Sequence, residues 1–251
     1  MKNKALVVIP ARYESSRLPG KPLVDIGGVP MVVRTATQSR KAKLAAEVVV
    51  AVDDDRIREV VEAAGFRCVS SDHPFRTGTE RVAWAANLPE FADYDIVINV
   101  QGDEPLVDPV NIDKCIEAFS KHPDAAGIIV YTADADASHA GHATVQASVD
   151  VNGRVLYLSR AFIPATKTGG KIPGYPYRYV HGFYGFRKAA LAAYDGRETD
   201  GWRHEDIDQL LALESGFPLY GIAVPWVEPS VNTPEDLELV REIVAHKVRE
   251  K

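Results

Sequence analysis

The stretch ALVVIPARYESSRLPGKPL, residues 5–23, decides the fold. Its first five residues are apolar without alternation, the pattern of a short strand buried on both faces of a parallel sheet. A loop follows at once, carrying Arg12, Arg17 and Lys21 among the small residues Ser15, Ser16 and Gly20, and stiffened by Pro10, Pro19 and Pro22. A triphosphate is held by cations and by closely approaching backbone N–H donors, and small residues permit that approach. The loop is not a GxxxxGK[ST] phosphate loop and the chain has no GxGxxG, so the fingerprints of kinases, ATPases and dehydrogenases are missing. Taken alone, the loop also reads as a solvated turn with incidental charges.

Working outward, strand and helix patterns alternate. Residues 47–52, 66–69, 95–100 and 127–131 are short apolar runs, and residues 31–39, 56–64, 79–87 and 111–120 have helical spacing. This rhythm predicts an α/β, Rossmann-like fold, a mostly parallel sheet with helices on both faces. Ligands of such sheets bind beyond the carboxyl ends of the strands, which points to the polar segments after Ile9, Val52, Val69 and Val100. From residue 144 the pattern changes. Strands over 145–149 and 154–158 flank a turn and predict a hairpin. A Gly-, Pro- and Lys-rich loop spans 167–177, and further strands are expected over 180–187 and 218–223. Helices are expected over 204–214 and 234–248, the second entered through Thr233 as N-cap and Pro234 at the first position. The expectation is a single domain over 1–251, with 144–187 as a β-rich insertion.

The 251 residues carry a formal charge of −6, which argues against a nucleic-acid surface. Cys68 and Cys115 sit in apolar surroundings without metal-binding spacing and read as buried thiols. Residues 1–4 are charged and lack a signal-peptide pattern, and no apolar run is long enough to span a membrane. A soluble cytoplasmic protein with neither nucleic-acid nor membrane partner is expected.

A second motif is VINVQGDEP, residues 97–105. An apolar strand delivers Gln101, Asp103 and Glu104 to its carboxyl end. A carboxylate there suits magnesium, which takes one or two protein carboxylates plus substrate phosphates. Helix capping is the alternative, and it explains Asp108 better than it explains Asp103.

Together the two motifs resemble those of the 3-deoxy-manno-octulosonate (Kdo) cytidylyltransferases, the CMP-Kdo synthetases. TGTER (77–81), LSRA (158–161), HGFYGF (181–186) and NTPEDL (232–237) continue the resemblance in family order across the chain. The resemblance implies a nucleotidyltransferase fold and transfer of CMP from CTP to the anomeric hydroxyl of Kdo, with release of pyrophosphate. It implies that Arg12 and Lys21 hold the phosphates, with Ser15 in the same loop, and that Asp103 binds Mg2+ with Asn232 at the second metal position. Thr77, Gly78 and Arg81 would seat the nucleotide. Gln101, Arg160, His181, Tyr184, Glu205 and Gln209 would face the acidic sugar. A homodimer formed through the region after Thr144 and a role in lipopolysaccharide synthesis are also implied.

Four departures cluster on the acceptor side. Asn232 stands where the family has Asp, and an amide offers an oxygen without charge. Pro74-Phe75-Arg76 replaces the residues that usually precede the TGT segment, adding a cation at Arg76. Gln146 replaces a Lys, and Leu211 an Arg. Another acidic acceptor, such as a modified octulosonate or a phosphonate, and a CTP-binding module without turnover are therefore the alternatives.

Overall fold

The structure, a computed structural model, describes residues 4–15, 18–134, 144–194 and 196–249. In chain order the elements are β1 (Ala5–Ala11), the small hairpin β2 (Asp25–Ile26) and β3 (Val29–Pro30), α1 (Met31–Ser39), β4 (Ala45–Val52), α2 (Asp55–Ala63) and β5 (Arg67–Ser70). Then come α3 (Gly78–Ala86), β6 (Ile96–Val100), α4 (Pro109–Lys121), β7 (Gly127–Asp134), β8 (Val145–Val149), β9 (Val155–Ser159) and β10 (Tyr177–Arg187). The last are α5 (Asp200–Glu205), α6 (Asp208–Glu214), β11 (Leu219–Ala223) and α7 (Pro234–Arg249). Among these described residues no helix is long and apolar enough to cross a membrane.

The main sheet runs β11-β7-β10-β6-β1-β4-β5. β1 pairs in parallel with β4 and β6, β4 with β5, and β11 with β7, while β10 lies antiparallel between β6 and β7. The apolar run of β1 explains its central place, since alternate residues bury on opposite faces. Val7 and Ile9 pack with Val32 and Ala36 of α1, Ile57 and Val61 of α2, and Ile112 and Phe119 of α4. Leu6 and Val8 pack with Val82 and Ala86 of α3 and Leu210 of α6 on the other face. A third apolar cluster joins Ile26, Met31, Leu106 and Val231 to Leu237, Val240 and Val244 of α7, with Leu18 against it. Each such aliphatic side chain, fully buried, contributes about 1.5–3 kcal/mol. This cluster fixes the end of the chain beside the first loop.

The helix starts follow their capping residues. Asp54 caps α2, Thr77 caps α3 and Asp108 caps α4 through its own carboxylate. Thr233 and Asp236 cap α7 reciprocally: Asp236 N–H donates to the Thr233 hydroxyl at 3.2 Å, and the Asp236 carboxylate accepts from the N–H groups of Thr233 and Asn232, both at 2.8 Å.

One expectation is corrected. The helix expected over 204–214 is two helices, α5 and α6, because Asp206 takes a left-handed conformation (φ 51, ψ 50) and stops the first. Segment 144–187 supplies β8, β9 and β10. β8 and β9 form the expected hairpin, in which the Asp150 carboxylate accepts from the N–H groups of Asn152 and Arg154. β10, however, sits inside the main sheet and carries β8 on the Tyr179–Val180 end of the strand.

Gly102 follows β6 where it passes the end of β1. A Cβ there would lie 2.9 Å from the Pro10 carbonyl oxygen, and the Gly102 carbonyl accepts from the Thr35 hydroxyl at 3.1 Å. Gly102→Ala is expected to destabilise the fold by about 1–3 kcal/mol, measured as a lower urea midpoint; an unchanged midpoint would show that the two strand ends separate without cost.

Candidate active site

A cavity of about 550 Å³ opens at the carboxyl ends of β1 and β6, bordered by α3, β10 and the junction between α5 and α6. That volume is in the range of small-molecule sites. The first loop enters it under restraint. Tyr13 N–H donates to Asp53 Oδ1 at 2.9 Å, and the Arg56 guanidinium covers the Tyr13 ring at 3.4 Å. Arg12 and Ser15 then line the cavity, Arg12 exposed. Ser16 and Arg17 lie outside the described residues.

Lys21, from the far end of the loop, donates from Nζ to Asp103 Oδ2 at 2.6 Å, and the Asn232 amide oxygen is 3.5 Å from the same nitrogen. The two charged side chains are only 15 % and 16 % exposed. Asp103 Oδ1 is buried and has no hydrogen-bond partner. The Asp103 carbonyl accepts from Val231 N–H at 2.9 Å, which brings the segment before α7 to the site.

At the start of α3, Thr77 and Gly78 line the cavity, and the Thr77 hydroxyl caps the helix by accepting from Glu80 N–H at 3.2 Å. Arg81 is buried. Its Nη2 donates to Asp53 Oδ2 at 3.1 Å, while Nη1 has no partner. Burial is the largest influence on Arg81 and lowers its pKa, Asp53 opposes that, and the nearby Arg12 adds to it. The cavity wall thus holds a buried charged donor with capacity to spare.

On the remaining side, Gln101 and Gln209 line the cavity with His181 and Tyr184. His181 shares a hydrogen bond of 3.1 Å with the Thr132 hydroxyl, and burial lowers its pKa from 6.5 to about 4, so the ring is neutral near pH 7. Tyr184 is 1 % exposed and forms part of the floor. Thr79 donates its hydroxyl proton to Asp208 at 2.5 Å, which leaves its oxygen to accept from Tyr184 at 2.8 Å, and Asn99 donates to Tyr184 at 3.1 Å. Arg160 directs Nε to the Glu205 carbonyl at 2.7 Å and Nη2 to the Asp206 carbonyl at 2.8 Å. Glu104 is buried under the strand-end motif, where burial and then Asp103 raise its pKa well above the carboxylate range. Gly182 leaves room for it: a Cβ there would meet Glu104 Oε1 at 2.3 Å.

A cytidylyltransferase family model matches residues 6–219. A Leptospira interrogans 3-deoxy-manno-octulosonate cytidylyltransferase is 40 % identical over 250 residues, covering 96 % of each chain. The chain belongs to the cytidylyltransferase family. It is similar also to the 8-amino-3,8-dideoxy-manno-octulosonate cytidylyltransferase of Shewanella woodyi, at 35 % identity over 93 % of this chain and 95 % of the relative. Among solved structures, a CMP:2-keto-3-deoxy-manno-octonic acid synthetase complexed with CTP superposes with a TM-score of 0.87 at 34 % identity, over 97 % of this chain and 99 % of that one. The expected nucleotidyltransferase fold and enzyme class are therefore those of this chain.

In this cytidylyltransferase one cavity gathers Arg12, Ser15, Lys21, Thr77, Gly78, Arg81, Gln101, Asp103, Arg160, His181, Tyr184, Gln209 and Asn232. Glu205 is the exception: its carboxylate accepts from the Ser159 hydroxyl at 2.7 Å and from Arg160 N–H at 2.8 Å, so it braces the strand end behind the cavity. Arg76 lines the cavity but is already engaged by Glu80, by Glu198 at 3.1 Å and by the Arg197 carbonyl at 3.1 Å, and is not a free cation for an acceptor. Gln146 is buried and faces Ile163 N–H at 3.5 Å, away from the cavity lining. Asp206 and Asp208 carry no strand-end signal in the sequence, whereas Asp53 and Glu104 stand just after apolar strands, at positions that strand-end reasoning marks without giving them a role.

Because His181 is harder to protonate in the folded chain than in the unfolded one, the stability it confers is complete above pH 6.5 and is lost as pH falls towards 4. His181→Gln is expected to lose less stability than the wild type between those values in chemical denaturation; equal losses would show that His181 is not desolvated.

Proposed function

We propose that this cytidylyltransferase transfers CMP from CTP to the anomeric hydroxyl of Kdo, releasing pyrophosphate, as a cytoplasmic homodimer that uses Mg2+. The observation that carries this reading is the Lys21–Asp103 pair with Asp103 Oδ1 left unpartnered, at the meeting point of the cationic loop and the strand-end motif. The names of relatives at 36–40 % identity, 3-deoxy-manno-octulosonate cytidylyltransferases, support the acceptor.

The residues fit a magnesium ion. Asp103 offers a buried, unbonded carboxylate oxygen and Asn232 an amide oxygen near the same ammonium. No group of three or more His, Cys, Asp or Glu side chains able to hold a metal occurs among the described residues, a set magnesium does not require when phosphates complete its shell. Bound magnesium supplies charge neutralisation at the α-phosphate.

The protein's own groups do the rest by positioning. Arg12 and Lys21 hold the phosphates and stabilise the charge that gathers on pyrophosphate as the bond from the α-phosphorus to its bridging oxygen breaks. Arg81 Nη1 and the first turn of α3 seat the nucleotide. Gln101, Gln209 and the neutral His181 offer hydrogen bonds to sugar hydroxyls, and Arg160 offers charge to the sugar carboxylate. The β8–β9 hairpin, with Val151 fully exposed and Leu156 58 % exposed, offers the apolar face for self-association.

A pyrophosphate-release assay with CTP and Kdo tests the reading. Wild type is expected to turn over, and Asp103→Asn to fall by about 10²–10³-fold when assayed below its melting temperature, which is itself expected to drop because Lys21 loses its buried partner; full activity in that variant removes Asp103 from the reaction. Asn232→Asp is expected to lower the magnesium concentration giving half-maximal rate, and an unchanged requirement would place the ion elsewhere.

A further inference from the structure

Asp206 is the one non-glycine residue with positive φ among the described residues. Three features of its place are unfavourable to an aspartate. A left-handed conformation crowds its Cβ, the carboxylate stands at the C-terminal end of α5 where the helix dipole disfavours negative charge, and its charge raises the proton affinity of Asp208 nearby. Glycine would end the helix without these costs.

Among the described residues, none donates to the Asp206 carboxylate or forms an ion pair with it, although the backbone on both sides is held. Asp206 N–H donates to the Trp202 carbonyl at 2.9 Å, and the Asp206 carbonyl accepts from Arg160 Nη2 at 2.8 Å. The neighbouring acids are engaged otherwise, Glu205 with Ser159 and Arg160, Asp208 with Thr79. Asp206 is exposed and lines the cavity beside Gln209 and Arg160. Where a residue breaks local rules at a site without a compensating contact in the protein, the compensation is sought in the ligand.

We propose that Asp206 is an acceptor-specificity residue whose carboxylate receives a hydrogen-bond donor of the acceptor and favours an ammonium group over a hydroxyl. The inference rests on the CMP-transfer reading. A carboxylate only accepts, and its bonds to cationic donors are the stronger ones.

The test is steady-state kinetics with CTP and two acceptors, Kdo and 8-amino-3,8-dideoxy-manno-octulosonate, for wild type, Asp206→Asn and Asp206→Gly. Asp206→Asn is expected to raise KM about tenfold for the amino sugar and about threefold for Kdo, with KM for CTP unchanged. Asp206→Gly is expected to shift the same ratio and also to raise the melting temperature. A ratio of kcat/KM values for the two acceptors that is the same in Asp206→Asn as in wild type overturns the proposal. A higher melting temperature in Asp206→Gly with an unmoved ratio also overturns it, because Asp206 then only ends a helix. A wild type that transfers CMP to neither sugar overturns the CMP-transfer reading, and this proposal with it.

Discussion

The ion pair between Lys21 and Asp103 is the joint on which the site depends. Its partners are 82 residues apart in sequence and both largely withdrawn from water. Either charge alone at that depth would be costly, so each segment takes its position from the other. The pair closes only because β1 and β6 are parallel neighbours and Gly102 lets their ends touch. A third segment joins through Val231, whose N–H meets the Asp103 carbonyl, and the reciprocal cap of α7 then sets Asn232 beside the ammonium. The apolar cluster of Leu18, Leu106 and Val231 with α7 lies behind this joint and keeps the three segments together.

Around the joint the cavity is divided by charge. Arg12, Lys21 and Arg81 come from the first loop and α3, where a triphosphate needs them, and Asp53 and Asp103 keep two of these cations compatible with burial. The α5–α6 junction and β10 instead contribute Asp206, Asp208, Gln209 and a neutral His181. A substrate with several anionic phosphates and a polyhydroxylated acceptor match that division without either half having to change its protonation. The chain of hydrogen bonds from Asn99 through Tyr184 and Thr79 to Asp208 links the two halves beneath the cavity floor.

Much of this was legible in the sequence where local chemistry decides it. The unbroken apolar runs of β1 and β6, the caps at Asp108 and Thr233, and the small, cationic first loop all carry their meaning within a few residues. What was not legible depends on distant partners. Nothing near Arg81 reveals that Asp53, 28 residues earlier, neutralises it. Nothing near Arg76 reveals Glu198. Glu205 and Asp206 are adjacent acids in a helical pattern, and only the left-handed turn at the second separates a bracing carboxylate from one that lines the cavity. β10 reads as a strand, but its antiparallel insertion between β6 and β7 follows from topology that no local pattern encodes.

The most direct test of the central claim is a crystal structure with CTP and magnesium bound. The triphosphate is expected against Arg12 and Lys21, the cytidine near Arg81, and the ion on Asp103 Oδ1. A nucleotide bound elsewhere, or an Asp103 that keeps its contact with Lys21 and meets no ion, would contradict it.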